Sequence, residues 1–110
     1  MVKDAYIILK KYPKEETFCL CDQLKRAVIS VPSNIAEGMS RVAPKEQMHF
    51  LQIAYGSLME VLCQFGISSD LGYITDVEYE RLRLQIETIA KMLNALHASL
   101  NKKLSDSHKF

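Results

Sequence analysis

The chain has 110 residues, 48% apolar and 25% charged, which allows one domain with one hydrophobic core and excludes two. Its 14 Lys and Arg against 13 Asp and Glu leave a formal charge of +1. A protein built to neutralise many phosphates carries a clear cationic excess, so any nucleic-acid role here must rest on a local patch.

Glycine (4) and proline (3) are scarce and most other residues are good helix formers, which predicts an all-α chain. Met1-Val2-Lys3-Asp4 is charged and no cleavable apolar run follows it, so the expected location is cytoplasmic. The most apolar stretch, residues 50–67, contains Gln52, Glu60 and Gln64 and would not cross a bilayer cheaply; no membrane partner is expected. Cys19, Cys21 and Cys63 are odd in number and lack metal-type spacing, so they read as free and mostly buried thiols.

Four helices are predicted. The first covers residues 2–11, with Val2, Tyr6 and Leu9 on one side, and stops before Pro13. The second covers residues 16–39 and carries Leu20, Leu24, Ala27, Val28, Val31 and Ile35 on one stripe. Within it, the stretch "SVPSNIAEGMSR" (30–41) contains Pro32, which removes one backbone hydrogen bond and kinks the helix. Asn34 and Glu37 share a face just beyond, placed to bond backbone groups that the proline frees or a residue on a neighbouring helix. Gly38 is positioned to close the helix. The stretch reads as helix architecture, with a ligand site as the alternative.

The third helix opens at Pro44 and ends near Leu71, with Gly72 placed for a left-handed closing turn. Met48, Leu51, Tyr55, Leu58, Leu62 and Phe65 repeat every three and four residues. A second apolar set, Phe50, Ile53, Ala54 and Val61, lies beside them and predicts a second neighbour. Gly56 reads as a site of close approach to the second helix. "TDVE" (75–78) is a capping box, and the fourth helix follows with Tyr79, Leu82, Ile86, Ile89, Leu93, Leu96 and Leu100 in register.

Short connections predict an up-down antiparallel four-helix bundle over residues 1–101, with 102–110 as a frayed tail. The third and fourth helices would each be about 40 Å long at 1.5 Å per residue, and the first far shorter. So short a helix cannot cover its partners' apolar faces. Self-association is therefore expected.

The run from Gln23 to Arg41 and the segment from Lys45 to Gln64 resemble the family of four-helix-bundle proteins encoded in intervening sequences of bacterial 23S rRNA genes. The resemblance covers residues 13–100. It rests on Arg26, Ala27, Ser30, Pro32, Ser33, Asn34, Ile35, Ala36, Glu37 and Gly38, and on Gly56, Ser57, Leu58 and Glu60 in the third helix. It implies a non-enzymatic cytoplasmic bundle, without cofactor, that assembles as a homopentamer. The chain is also similar to the accessory variability protein of diversity-generating retroelements, which implies RNA, DNA or a reverse transcriptase as an alternative partner. It departs from these relatives in its short first helix, its lack of tryptophan and its near-neutral charge.

Few residues point to chemistry. Glu46 and His49 form a Glu-x-x-His, but a di-iron bundle needs a second one, and His97 is preceded at that spacing by Asn94. No nucleophile has a recognisable context, so no catalysis is expected. Lys25, Arg26, Arg41 and Lys45 are the candidate nucleic-acid patch, which a ring of subunits would repeat into a positive rim.

Overall fold

A computed structural model describes residues 1–107, apart from the side chains of Thr17 and Phe18. The described residues form four α-helices and no strand: α1 (Val2–Leu9), α2 (Asp22–Met39), α3 (Pro44–Asp70) and α4 (Asp76–Ser107). The molecule measures 58 × 24 × 18 Å. The packing follows the expected up-down bundle, with α3 running along both α2 and α4 while α1 lies against α2 and α4.

The core follows the predicted stripes. Leu24, Ala27, Val28 and Val31 of α2 face Leu51, Leu58 and Phe65 of α3 and Leu82, Ile86, Leu93 and Leu100 of α4, all buried. By length and composition α3 is long and apolar enough to cross a membrane, and 28% of its most apolar stretch is buried within the bundle. The second apolar set of α3 divides: Ala54 and Val61 are fully buried, Phe50 is half-buried and Ile53 is exposed. Part of the demand for a second neighbour is thus met inside the chain.

Several boundaries differ from the sequence expectation. A 3₁₀ turn (Lys14–Glu16) and a π-helical turn (Thr17–Cys21) precede α2, so its regular part begins at Asp22. Pro32 lies inside α2 and the helix continues through it. The ring withholds a donor from the Val28 carbonyl and crowds it, which kinks a helix without ending it. At the other end α4 remains helical to Ser107, beyond the expected end at Asn101, with Leu104 half-buried at its last turns. Residues 108–110 of the expected tail lie outside the described residues. Cys21 is buried, but Cys19 and Cys63 are exposed, against the expectation of mostly buried thiols.

The α3–α4 turn is as the sequence predicts. Gly72 has φ 78°, and Tyr73 N–H bonds back to the Ser68 carbonyl at 2.9 Å, closing α3 with a left-handed glycine. In the capping box the Glu78 N–H donates to Thr75 Oγ1 at 3.1 Å and the Thr75 N–H donates to Glu78 Oε1 at 3.0 Å. Three polar contacts tie the N-terminal segment to this end of the bundle: Lys11 to Glu78, the Tyr73 hydroxyl donating to Glu16, and the Gln85 amide donating to Asp4.

Gly38 does not close α2. It is buried inside the helix, where an added Cβ would lie 3.1 Å from Phe50 Cβ and 3.3 Å from the Gln47 carbonyl oxygen. Its function is close approach of α2 to the first turns of α3. Both opposing atoms are fixed to the α3 backbone, so the helices must separate to admit a methyl group. Gly38→Ala should therefore lower stability by about 1 kcal/mol, overpacking exceeding the gain in helix propensity, and urea unfolding would measure it.

The Glu78 carboxyl is held below its usual value of 4.5, chiefly by the Lys11 ammonium and then by the Thr75 backbone N–H. Its folded pKa lies below its unfolded one, so its contribution is complete above pH 4.5 and lost as pH falls through the folded value. Glu78→Gln should lower the melting temperature at neutral pH and flatten its decline below pH 4.5. Parallel acid limbs for variant and wild type would contradict this.

Candidate functional site

The residues from Arg26 to Gly38 do not form one pocket; they edge the seam between α2 and α3. Asn34 reaches back one turn, its Nδ2 donating to the Ser30 carbonyl at 2.8 Å and to Ser30 Oγ at 2.9 Å. Ser30 Oγ in turn lies 2.8 Å from Ser57 Oγ on α3. The Ser30 carbonyl accepts only, so the nitrogen of the Asn34 amide must face it. Ser30 Oγ has two lone pairs, so in its bond with Ser57 Oγ either hydroxyl can donate.

This chain of bonds cross-links α2 and α3 through part-buried polar side chains. It is not the arrangement anticipated for Pro32: the carbonyl that proline deprives is that of Val28, whereas Asn34 serves Ser30. Glu37 turns the other way and pairs with Arg41 one turn on. Pro32 and Ser33 are exposed.

Beside the Ser30–Ser57 bridge is a polar hollow of about 450 Å³ lined by Gln23, Arg26, Ala27, Ser30, Ser57 and Glu60. Arg26 and Glu60 sit on its two sides without an ion pair between them. Glu60 accepts from the Gln64 amide at 2.8 Å. Gly56 is exposed next to Ser57, and an added Cβ would meet nothing within 4 Å. The expected close approach of Gly56 to α2 is therefore absent.

The four basic residues do not form one patch. Lys25 lies over the Tyr6 ring, its nitrogen 5.7 Å from the centroid, and Arg26 lines the polar hollow. Arg41 and Lys45 stand at the far end of α2, about 20 Å away at 1.5 Å per residue. There Arg41 caps the Phe50 ring at 5.1 Å and is partly neutralised by Glu37. A depression of about 680 Å³ at this end is lined by Arg41, Lys45, Glu46, His49, Phe50 and Leu104, among others.

The half-motif Glu46–His49 gains no partners. His49 packs edge-on against Phe50, and His97 lies 3.3 Å from the Gln52 amide. Among the described residues no group of three His, Cys, Asp or Glu could hold a metal ion.

A third feature is an apolar groove of about 790 Å³ between α2 and α4, lined by Val31, Pro32, Ile35, Ile89, Met92 and Leu96, with Met1 and Val2 among the rest of its lining.

The model of the 23S rRNA-intervening sequence protein family matches residues 1–95. The chain belongs to that family. No curated protein matches it. The match takes in all of α1, α2 and α3 and most of α4, so the seam, the hollow and the lining of the groove except Leu96 lie within the matched residues.

The Ser30–Ser57 contact is a feature of the seam that sequence reasoning did not pair, as is the approach of Gly38 to Phe50. The only local signal was the four-residue spacing of Ser30 and Asn34. If the bridge joins the helices as described, Ser30→Ala and Ser57→Ala should each cost about 1 kcal/mol, and the double variant much less than the sum. Strict additivity in urea unfolding would show that the two hydroxyls do not act together.

Proposed function

We propose that this family member is a non-catalytic helical-bundle module whose work is assembly, with copies of itself and through them with a partner. The finer form of the reading is a cytoplasmic homopentamer without cofactor. The observation that carries it is apolar surface the single chain does not cover. The groove between α2 and α4 is lined almost wholly by aliphatic side chains. Ile53 and Ile67 on α3, Leu71 just after it and Met92 on α4 are exposed as well. Patches of this kind mark protein contacts.

The alternative reading is a nucleic-acid-binding accessory factor. What supports it is the end of the bundle where Arg41, Lys45 and His49 surround Phe50, a pairing of cations with an aromatic face that suits a stacked base. Glu37 and Glu46 at the same end weaken it.

Light scattering after gel filtration at low salt, with absorbance at 260 and 280 nm, separates these readings. The expected result is a mass near five protomers with a protein spectrum. Excess absorbance at 260 nm that disappears with added salt would transfer the assignment to nucleic acid. A monomer would overturn the assembly reading.

A further inference from the structure

Helix α1 is seated against α2 and α4, and its contacts follow in chain order. Asp4 accepts from the Gln85 amide of α4 at 2.8 Å. The Tyr6 ring faces the Lys25 ammonium of α2, 5.7 Å from its centroid. The Leu9 carbonyl meets the buried thiol of Cys21, and Lys11 pairs with Glu78. The Tyr12 ring packs on Tyr73 with centroids 5.5 Å apart. Ala5, Ile8, Leu9 and Tyr12 are buried in this seat. At Met1 and Val2 it adjoins the apolar groove between α2 and α4.

Three features loosen the seat. Helix continuity does not hold α1, because Pro13 follows it and a 3₁₀ turn and a π-helical turn separate it from α2. The Lys11–Glu78 pair is held by an exposed lysine, and exposed pairs hold weakly. Three buried side-chain atoms lack a hydrogen-bond partner among the described residues, and two of them, Tyr12 Oη and Gln85 Oε1, lie on this contact. Each is a desolvated polar group left uncompensated in the closed form, and opening rehydrates it. The rest of the bundle has its own cohesion, since α3 packs along both α2 and α4.

We propose that residues 1–13 form a latch that swings out as one unit about residues 14–21 while α2, α3 and α4 stay packed. Opening uncovers the strip of α2 and α4 beneath α1 and joins it to the adjoining groove. The latch thereby sets how much apolar surface the bundle offers. It also masks a thiol: closed, Cys21 is 4% exposed, and burial pushes its pKa up. Cys19 and Cys63 are exposed and react without any opening.

Thiol labelling of the full chain tests the latch. In a Cys19→Ser, Cys63→Ser background, the rate at which iodoacetamide modifies Cys21 would be followed at urea concentrations below the unfolding transition. Global unfolding would be measured beside it by circular dichroism. Cys21 should react about a hundredfold or more faster than global unfolding allows, with a shallower dependence on urea. The labelled protein should keep the helical signal of α2, α3 and α4 while trypsin cuts it at Lys10, Lys11 or Lys14. Asp4→Ala, remote from Cys21 along α1, should speed labelling about fivefold, and Tyr12→Phe should slow it by a similar factor. Labelling with the rate and urea dependence of global unfolding would overturn the proposal. So would fast labelling that Asp4→Ala leaves unchanged, because fraying around Cys21 alone would then account for it.

Discussion

The inner face of α3 is the constraint from which the remaining structure follows. Leu51, Ala54, Leu58, Val61 and Phe65 form a fully buried row along the longest axis of the core, and both α2 and α4 pack against it. Leu51, Leu58, Val61 and Phe65 each contribute on the order of 1.5–3 kcal/mol by leaving water, and Ala54 less. α3 is the helix that packs along two others over much of its length. Once α3 is placed, the connections decide the rest: a short turn returns α2, the glycine-closed turn at Gly72 returns α4, and α1 is left to bridge the two outer helices.

That arrangement explains where polar groups are tolerated. The α2–α3 seam is tight at Gly38 and widens towards Arg26. At the tight end the fit is steric, glycine against Phe50 and the Gln47 carbonyl. In the middle it is a hydrogen-bond chain from Asn34 through Ser30 to Ser57. At the wide end it becomes the hollow with Arg26 and Glu60. One seam thus passes from packing to specific bonding to unpaired charge. The family resemblance runs along it.

Much of the fold was legible because it depends on neighbours within a turn or two. The capping box of Thr75 and Glu78, the left-handed Gly72 and the stripe from Leu82 to Leu100 are all local patterns. The candidate site was less legible. Lys25, Arg26, Arg41 and Lys45 look like a cluster in the chain, yet the length of α2 holds the two pairs apart. Gly38 and Gly56 look alike in sequence, both helical and both beside apolar residues. Only the path of the neighbouring helix makes one an obligatory close contact and leaves the other open.

The sequence by itself determined the number of helices, their principal buried faces, the turn at Gly72 and the family, because periodicity and capping are properties of the chain with its own near neighbours. The tertiary structure alone decided which side chains meet across the α2–α3 seam. It also decided that the cations divide, that an apolar groove runs between α2 and α4, and that Arg26 and Glu60 line a common hollow without pairing to each other. Those outcomes depend on the rotation and offset of one helix against another. That rotation and offset are set by the sum of many weak packing contacts and written in no single motif.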